Sequence, residues 1–185
     1  MNARDTAAGT IRPCDPGDLP AILPIINAAA EAYRGVIPAD RWHEPYMPAA
    51  ELASEIADGV IFSGYVREGG LVGVMGVQRR RSVDLIRHAY VLPAWQGHGI
   101  GAALLRHLAA SSERPILLGT WRAADWAVRF YERHGFSRVA DGDVARLLRA
   151  YWNIPEAQVA ASVVLASPPL IGDAVTRLIA EGAAA

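Results

Sequence analysis

Val91-Leu-Pro-Ala-Trp-Gln-Gly-His-Gly-Ile-Gly-Ala-Ala-Leu-Leu105 is the segment whose residue types and spacing most clearly imply chemistry. It reads as a strand end, a tight turn with three glycines, and the first turn of an amphipathic helix. Such a turn aims consecutive backbone N–H groups at one point, and the positive end of the helix dipole aims there too. Gly97, Gly99 and Gly101 remove side chains that would keep an anion away or forbid positive φ. The chemistry implied is binding of phosphate, pyrophosphate in particular, with Gln96, His98, Ile100 and Ala102 completing the loop. A Walker loop would place Lys and then Ser or Thr after the last glycine, whereas Ala102 and Ala103 follow Gly101. Gly97-x-Gly99-x-x-Ala102 fits a loose dinucleotide fingerprint. The next strand candidate, Pro115–Gly119, does not end on the acid that reading needs. A glycine-rich turn that merely starts a helix is the plainer alternative.

Downstream, Ala127-Val-Arg-Phe-Tyr-Glu-Arg-His-Gly-Phe136 forms a second constellation. Helical spacing puts Ala127, Phe130, Tyr131 and His134 on one face, and Gly135 stops the helix as a C′ residue. The interval from Gly101 to Tyr131 leaves room for a helix, a strand and a second helix. Gln96-x-x-Gly99-x-Gly101 resembles the acyl-CoA pyrophosphate loop, Q/R-x-x-G-x-G/A, of the GNAT superfamily of N-acetyltransferases. Ala127–Phe136 resembles that family's A-x-x-F-Y-x-x-x-G-F pattern. The resemblance runs from about Thr10 to about Ser167.

The resemblance implies a single-domain α/β fold over residues 10–167. Its mixed, largely antiparallel central sheet carries flanking helices and splays after the central strand to admit acetyl-CoA. It implies that backbone groups near Val91 pair with the pantetheine arm, that Phe130 lies against the cofactor, and that Tyr131 protonates the departing thiolate. A core-edge tyrosine with a satisfied hydroxyl is the structural alternative for Tyr131. The implied activity moves an acetyl group to a primary amine of a small molecule, amino acid or peptide by direct attack on the thioester. A non-catalytic acyl-CoA-binding sensor or regulatory module is the alternative. Two departures stand out. Ala124 occupies a position where many members carry an Asn that contacts the cofactor. The strand before the loop also lacks the Glu that many members use as general base.

Acyl transfer still needs a base, because a primary amine is protonated at neutral pH. Period-two alternation puts Asp84, Ile86, His88 and Tyr90 on one face of that strand. His88 is the candidate base, since its reference pKa lies near working pH; a half-buried histidine with a structural hydrogen bond is the alternative. Tyr33, Trp42 and Tyr46 fall between the first two helices, where the family walls its acceptor pocket. Aromatic walls without a paired acid suit a modest-sized amine with apolar character, although the same rings could cap a core.

Composition narrows the classes. Of 185 residues, 52% are hydrophobic, which suits one well-packed domain. Net charge is −1 with Arg dispersed among Asp and Glu, so no basic footprint for nucleic acid appears. A single Cys, Cys14, excludes an internal disulfide. His43, His107 and His134 lack metal-ligand spacing, and no metal is expected. Met1–Thr6 lacks the apolar core of a signal peptide, and no apolar run approaches about 20 residues. The expectation is a cytoplasmic protein without membrane contact.

These residues require particular elements to hold them. Thr10–Pro13 reads as a strand, and Asp18 as the N-cap of a helix carrying Leu19, Ile22, Leu23, Ile26 and Ala30 inward, kinked at Pro24. A second helix spans Pro48–Asp58. Val60–Arg67 and Leu71–Arg79 are strands joined by Glu68-Gly-Gly, a hairpin signal. Arg79-Arg-Arg81 reads as a solvated charged turn. Val83–Leu92 is the strand that delivers the chain into the glycine loop. Phe136–Ala140 is a further strand, Asp143–Trp152 is helical or irregular, and Ser162–Leu165 is β-branched. Residues 168–185 form a helical tail whose stripe of Ile171, Val175, Leu178 and Ile179 predicts a homodimer, as does an outer strand at Ser162–Leu165; a helix that folds back onto its own domain and hides the stripe there is the alternative.

Overall fold

The chain, as a computed structural model, is described over residues 9–183. The amino-terminal stretch read for a leader lies outside the described residues. Seven strands, β1 (Thr10–Pro13), β2 (Val60–Arg67), β3 (Gly70–Arg80), β4 (Val83–Val91), β5 (Ile116–Trp121), β6 (Ser137–Arg138) and β7 (Ser162–Ser167), form one sheet. Its order is β1-β2-β3-β4-β5-β7-β6. Only β4 and β5 pair in parallel; every other pair is antiparallel. This is the mixed, largely antiparallel sheet expected. The β2–β3 hairpin turns through Glu68 (φ 51°) and Gly69 (φ 80°). Both are left-handed, as a two-residue turn matched to the strand twist requires.

Helices cover both faces. On one side lie α3 (Ile100–Ser111) and α4 (Asp125–Glu132), whose Leu104, Leu105, Leu108, Val128 and Tyr131 pack on Val72, Ile86, Ile116, Leu118, Val163 and Leu165. On the other lie α1 (Leu19–Ala30), α2 (Ala49–Ala57), α5 (Asp141–Tyr151) and α7 (Asp173–Ala183). There Ile22, Ile26 and Leu52 meet Val60, Phe62 and Val74. Leu147, Leu148 and Ile179 meet Leu85, Leu117 and Val164. The alternation of Ile116, Leu117 and Leu118 between the two cores is the period-two signature of a strand buried on both faces.

β4 departs from the simple alternation read in the sequence. Val77 pairs with Ile86 but Gly76 pairs with His88, so Arg87 is an extra, bulged residue. An inserted residue reverses the facing of everything after it. Asp84 and Ile86 face α3, the former accepting from Ser112 Oγ at 2.7 Å. His88 and Tyr90 instead face the α1–α2 side, where His88 stacks on Phe62. The four residues therefore do not share a face.

Other details also differ. Asp18 does not cap α1 with its side chain; it accepts from the Asp15 amide and pairs with Arg12, while Asp15 caps the short turn before it. α1 runs from Leu19 through Pro24 to Ala30. The strand expected at Phe136–Ala140 is reduced to Ser137–Arg138, with one further bond from Val139 N to the Val164 carbonyl at 2.9 Å. Asp141–Tyr151 is a regular helix, followed by a short one, α6 (Glu156–Ala160). Of the C-terminal stripe, Val175, Leu178 and Ile179 are buried against α5, and Tyr151 donates to the Leu178 carbonyl at 3.0 Å, while Ile171 is exposed. β7 is an interior strand between β5 and β6. Three of the four stripe residues thus pack on their own domain.

Candidate active site

β4 and β5 pair only from Asp84↔Ile116 to Ile86↔Leu118. Beyond Ile86 the bulge turns β4 away while β5 stays with β7 as far as Trp121. The strands splay, and the peptide groups of β4 that point into the gap have no strand to pair with. A cleft of about 1060 Å³ occupies this opening and continues to both faces of the sheet.

The glycine loop closes one end of the cleft. Gly97 and Gly99 both have φ 77°, the left-handed region where only glycine is unstrained. Gly99 is the N-cap of α3, and no side chain caps that helix. The first bond into the helix runs from Ala103 N to the Gly99 carbonyl. Among the described residues, no protein acceptor meets the amides from Gly97 to Ala102. A consecutive set of unpaired N–H groups at a helix N-terminus is an anion cradle. Nothing lies within 4 Å of a Cβ built on Gly97 or Gly99, so the cradle is open. One on Gly101 would touch Phe130 Cζ at 3.4 Å, which places Phe130 directly beside the loop.

Two loop side chains serve the loop itself. Gln96 Nε2 donates to the Val91 carbonyl at 3.1 Å, tying the loop to the end of β4. His98 Nδ1 meets the Gln96 carbonyl at 2.9 Å and its ring stands edge-on to Trp95, so it does not line the cleft. Ile100 is buried and anchors α3 in the core. Val91, Gln96, Gly97, Gly99, Ile100, Gly101, Ala102, Phe130 and Tyr131 all line the cleft.

Tyr131 is buried on α4, edge-on to Phe130 (5.1 Å) and Phe136 (5.6 Å). Burial, with a smaller contribution from Tyr33, raises its pKa, so the phenol keeps its proton at neutral pH. The hydroxyl donates no hydrogen bond to any described residue, unlike the satisfied core tyrosine weighed in the sequence. Tyr33 and Tyr46 stack at 5.9 Å, and Trp126 of α4 stands 5.6 Å from Tyr33. Burial and the Tyr46 hydroxyl push the Tyr33 phenol up to about 12. Trp42 does not line the cleft; it backs Tyr46 at 5.5 Å beneath the Arg34 guanidinium.

His88 lines the cleft between Phe62 (5.7 Å) and Tyr90 (6.3 Å), and its Nε2 meets a Glu55 carboxylate oxygen. Arg87 Nη2 reaches the other Glu55 oxygen at 3.0 Å. Burial acts to raise the Glu55 pKa, yet the His88 hydrogen bond and the charges of His88 and Arg87 outweigh it and hold it below its ordinary value. Asp40, Glu51 and Glu55 line the cleft with the aromatic rings, so the wall is not free of acids. Sequence reasoning passed over Glu55, Tyr90 and Trp126. No local pattern marks Glu55, which sits 33 positions before His88 on a different element.

Residues 58–138 match the family model of the acetyltransferase (GNAT) domain. Over that stretch the chain is similar to GNAT acetyltransferases. Solved structures agree on the fold. A GNAT-family acetyltransferase from Staphylococcus aureus Mu50 superposes with a TM-score of 0.63 at 17% identity, over 86% of this chain and 98% of its own. The PaiA N-acetyltransferase of Thermoplasma acidophilum, solved with coenzyme A, gives 0.63 at 17%, over 85% and 97%. The ribosomal-protein-S18-alanine N-acetyltransferase of Escherichia coli gives 0.62 at 19%, over 89% and 97%. No curated protein matches the sequence. The matched residues span β2–β4, the loop, α3, β5, α4 and β6, which include the glycine loop and the splayed strands of the cleft. The cleft-lining rings of Tyr33 and Tyr46 lie before it.

Proposed function

We propose that this protein is an acetyl-CoA-dependent N-acetyltransferase acting on a primary amine. The observation that carries the reading is the open row of amides from Gly97 to Ala102 at the mouth of the β4–β5 splay, with Tyr131 in the same cleft. The row suits a pyrophosphate, and the unpaired edge of β4 suits the amides of a pantetheine arm. The cradle has the open space that the phosphate needs. Acetyl-CoA supplies the activated acyl group.

The residues then divide the proton traffic. His88 takes one proton from the acceptor ammonium, which frees the nitrogen lone pair to attack the thioester carbonyl. A C–N bond forms as the C–S bond breaks. Tyr131 donates to the departing sulfur and recovers its proton from the second N–H lost by the acceptor nitrogen. The sum is one amide, one CoA thiol and one proton released to solvent. Direct transfer is favoured over an acyl-cysteine route. Cys14 does not line the cleft, and burial, the largest influence on it, raises its thiol to about 11.

The acceptor half holds Tyr33, Tyr46, Trp126 and His43 together with Asp40, Glu51 and Glu55, while Arg41 and Arg87 are paired with Asp40 and Glu55. That balance supports a cationic amine with an apolar body. The test is release of free CoA across a panel of small amines, amino acids and peptides. Amine-dependent release is expected. CoA binding with no release on any amine would support the non-catalytic reading, and no binding would remove both. The chain contains no lysine, so no ε-amine of its own contributes background.

A further inference from the structure

We propose that Glu55 is a positioning residue for His88, holding its imidazole in the tautomer that leaves Nδ1 as the base, while Arg87 opposes it in setting the charge on the pair. The inference rests on the acetyl-transfer reading above and names how its base is made. The bulge is what permits the arrangement. In a regular strand residues 87 and 88 would point to opposite faces, but the extra residue lets both reach one carboxylate on α2.

The geometry is confined. The imidazole lies between the Phe62 and Tyr90 rings at interplanar angles of 19° and 28°, so it cannot swing away without losing both contacts. The side chains of His88, Arg87 and Glu55 are 8%, 14% and 20% exposed, so their couplings are weakly screened. A carboxylate at Nε2 accepts the N–H there and leaves the Nδ1 lone pair free. Once Nδ1 has taken the acceptor's proton, Glu55 stabilises the imidazolium without being protonated itself. Nδ1 returns that proton to solvent before the next turnover. A salt bridge to Arg87 alone would satisfy Glu55 as a tie between α2 and β4. The second oxygen instead meets the imidazole of His88, the one histidine of the strand that lines the cleft.

His88 meets Glu55 of α2, Tyr90 of β4 and the neutral Phe62 of β2, with Arg87 on the other oxygen of Glu55, while Glu51 of α2 and Tyr46 of the preceding loop line the same cleft. Removing the anion lowers the imidazole pKa and removing the cation raises it. The test compares full-length wild type, Glu55→Gln and Arg87→Met by the pH dependence of kcat/KM, using an amine found in the panel. It adds NMR titration of the His88 ring. Glu55→Gln is expected to move the acidic limb about one unit lower and to cut the plateau rate roughly tenfold. Arg87→Met is expected to move the limb higher. The ring titrations shift in the same two directions. A purely structural tie instead predicts equal losses of thermal stability with limb and ring titration unmoved, and that result overturns the proposal. Should Glu55→Gln fail to fold, Glu55→Asp replaces it and must shift the ring titration downward by a smaller step. An inactive wild type would defeat the acetyl-transfer reading, while the ring titrations would still decide the Glu55–His88 coupling.

Discussion

Tyr131 was legible at a family position and His88 as the candidate base on a strand that lacks the family's Glu, but only packing shows what each side chain touches. Burial keeps the Tyr131 phenol protonated well past neutral pH, and its hydroxyl meets no protein acceptor. A group in that state can give a proton to a thiolate that appears only as the C–S bond breaks. Tyr131→Phe should therefore lower kcat by about 10- to 100-fold. CoA affinity measured by calorimetry should stay within about twofold, because the hydroxyl acts on charge absent from the ground state. An unchanged kcat would remove Tyr131 from the mechanism. Trp42 and His98 show the opposite outcome: aromatic type and sequence position placed them at the site, yet their rings turn to Arg34 and Trp95.

At the scale of elements, the glycine loop is the clearest case of local sequence deciding local structure. Positive φ at Gly97 and Gly99 and an uncapped α3 follow from residue types alone. Gly99→Val puts a β-branched residue at φ 77°, at a strain of about 1–3 kcal/mol. Nothing lies within 4 Å of the new Cβ, so the fold should survive and circular dichroism should be unchanged. The side chain would project into the cradle, and CoA binding should fall below detection in the same protein. Unchanged affinity in a folded variant would refute the loop assignment. The β4 bulge is the counter-example. A run of Asp84-Leu-Ile-Arg-His-Ala-Tyr carries no signal for an extra residue, because the bulge is set by register against β3.

Across the whole molecule, the tail helix packs on α5. Val175, Leu178 and Ile179 share one core with Leu147, Leu148 and Tyr151, and a Cβ on Gly182 would lie 2.2 Å from Ala150 Cβ. Three buried aliphatic side chains at about 1.5–3 kcal/mol each make α7 a major support of α5. A chain ending at Ser167 should melt about 10 °C or more below the full-length protein, and should expose enough apolar surface to bind a hydrophobic dye. An unchanged melting temperature would show that α7 adds nothing to the core. The sheet ends in the short strands β1 and β6, which offer little edge for another chain to extend. Among the described residues, no helix is long and apolar enough to cross a membrane, and no group of His, Cys, Asp and Glu is placed to hold a metal.

What the sequence determined by itself were the features whose cause is local. These are the glycine turn, the helix stop at Gly135, the two-residue hairpin, and the Gln96–Gly101 and Phe130–Tyr131 patterns that carry the family likeness. Each depends on φ, periodicity or capping within a few residues. What only the tertiary structure decided were relations between distant segments. Glu55 meets His88 because α2 packs over β2–β4 and a bulge redirects two neighbours to it. The stripe on α7 finds its cover on α5 rather than on another chain, since hydrophobic burial is non-directional and a periodic pattern states that a face will be covered without stating by what.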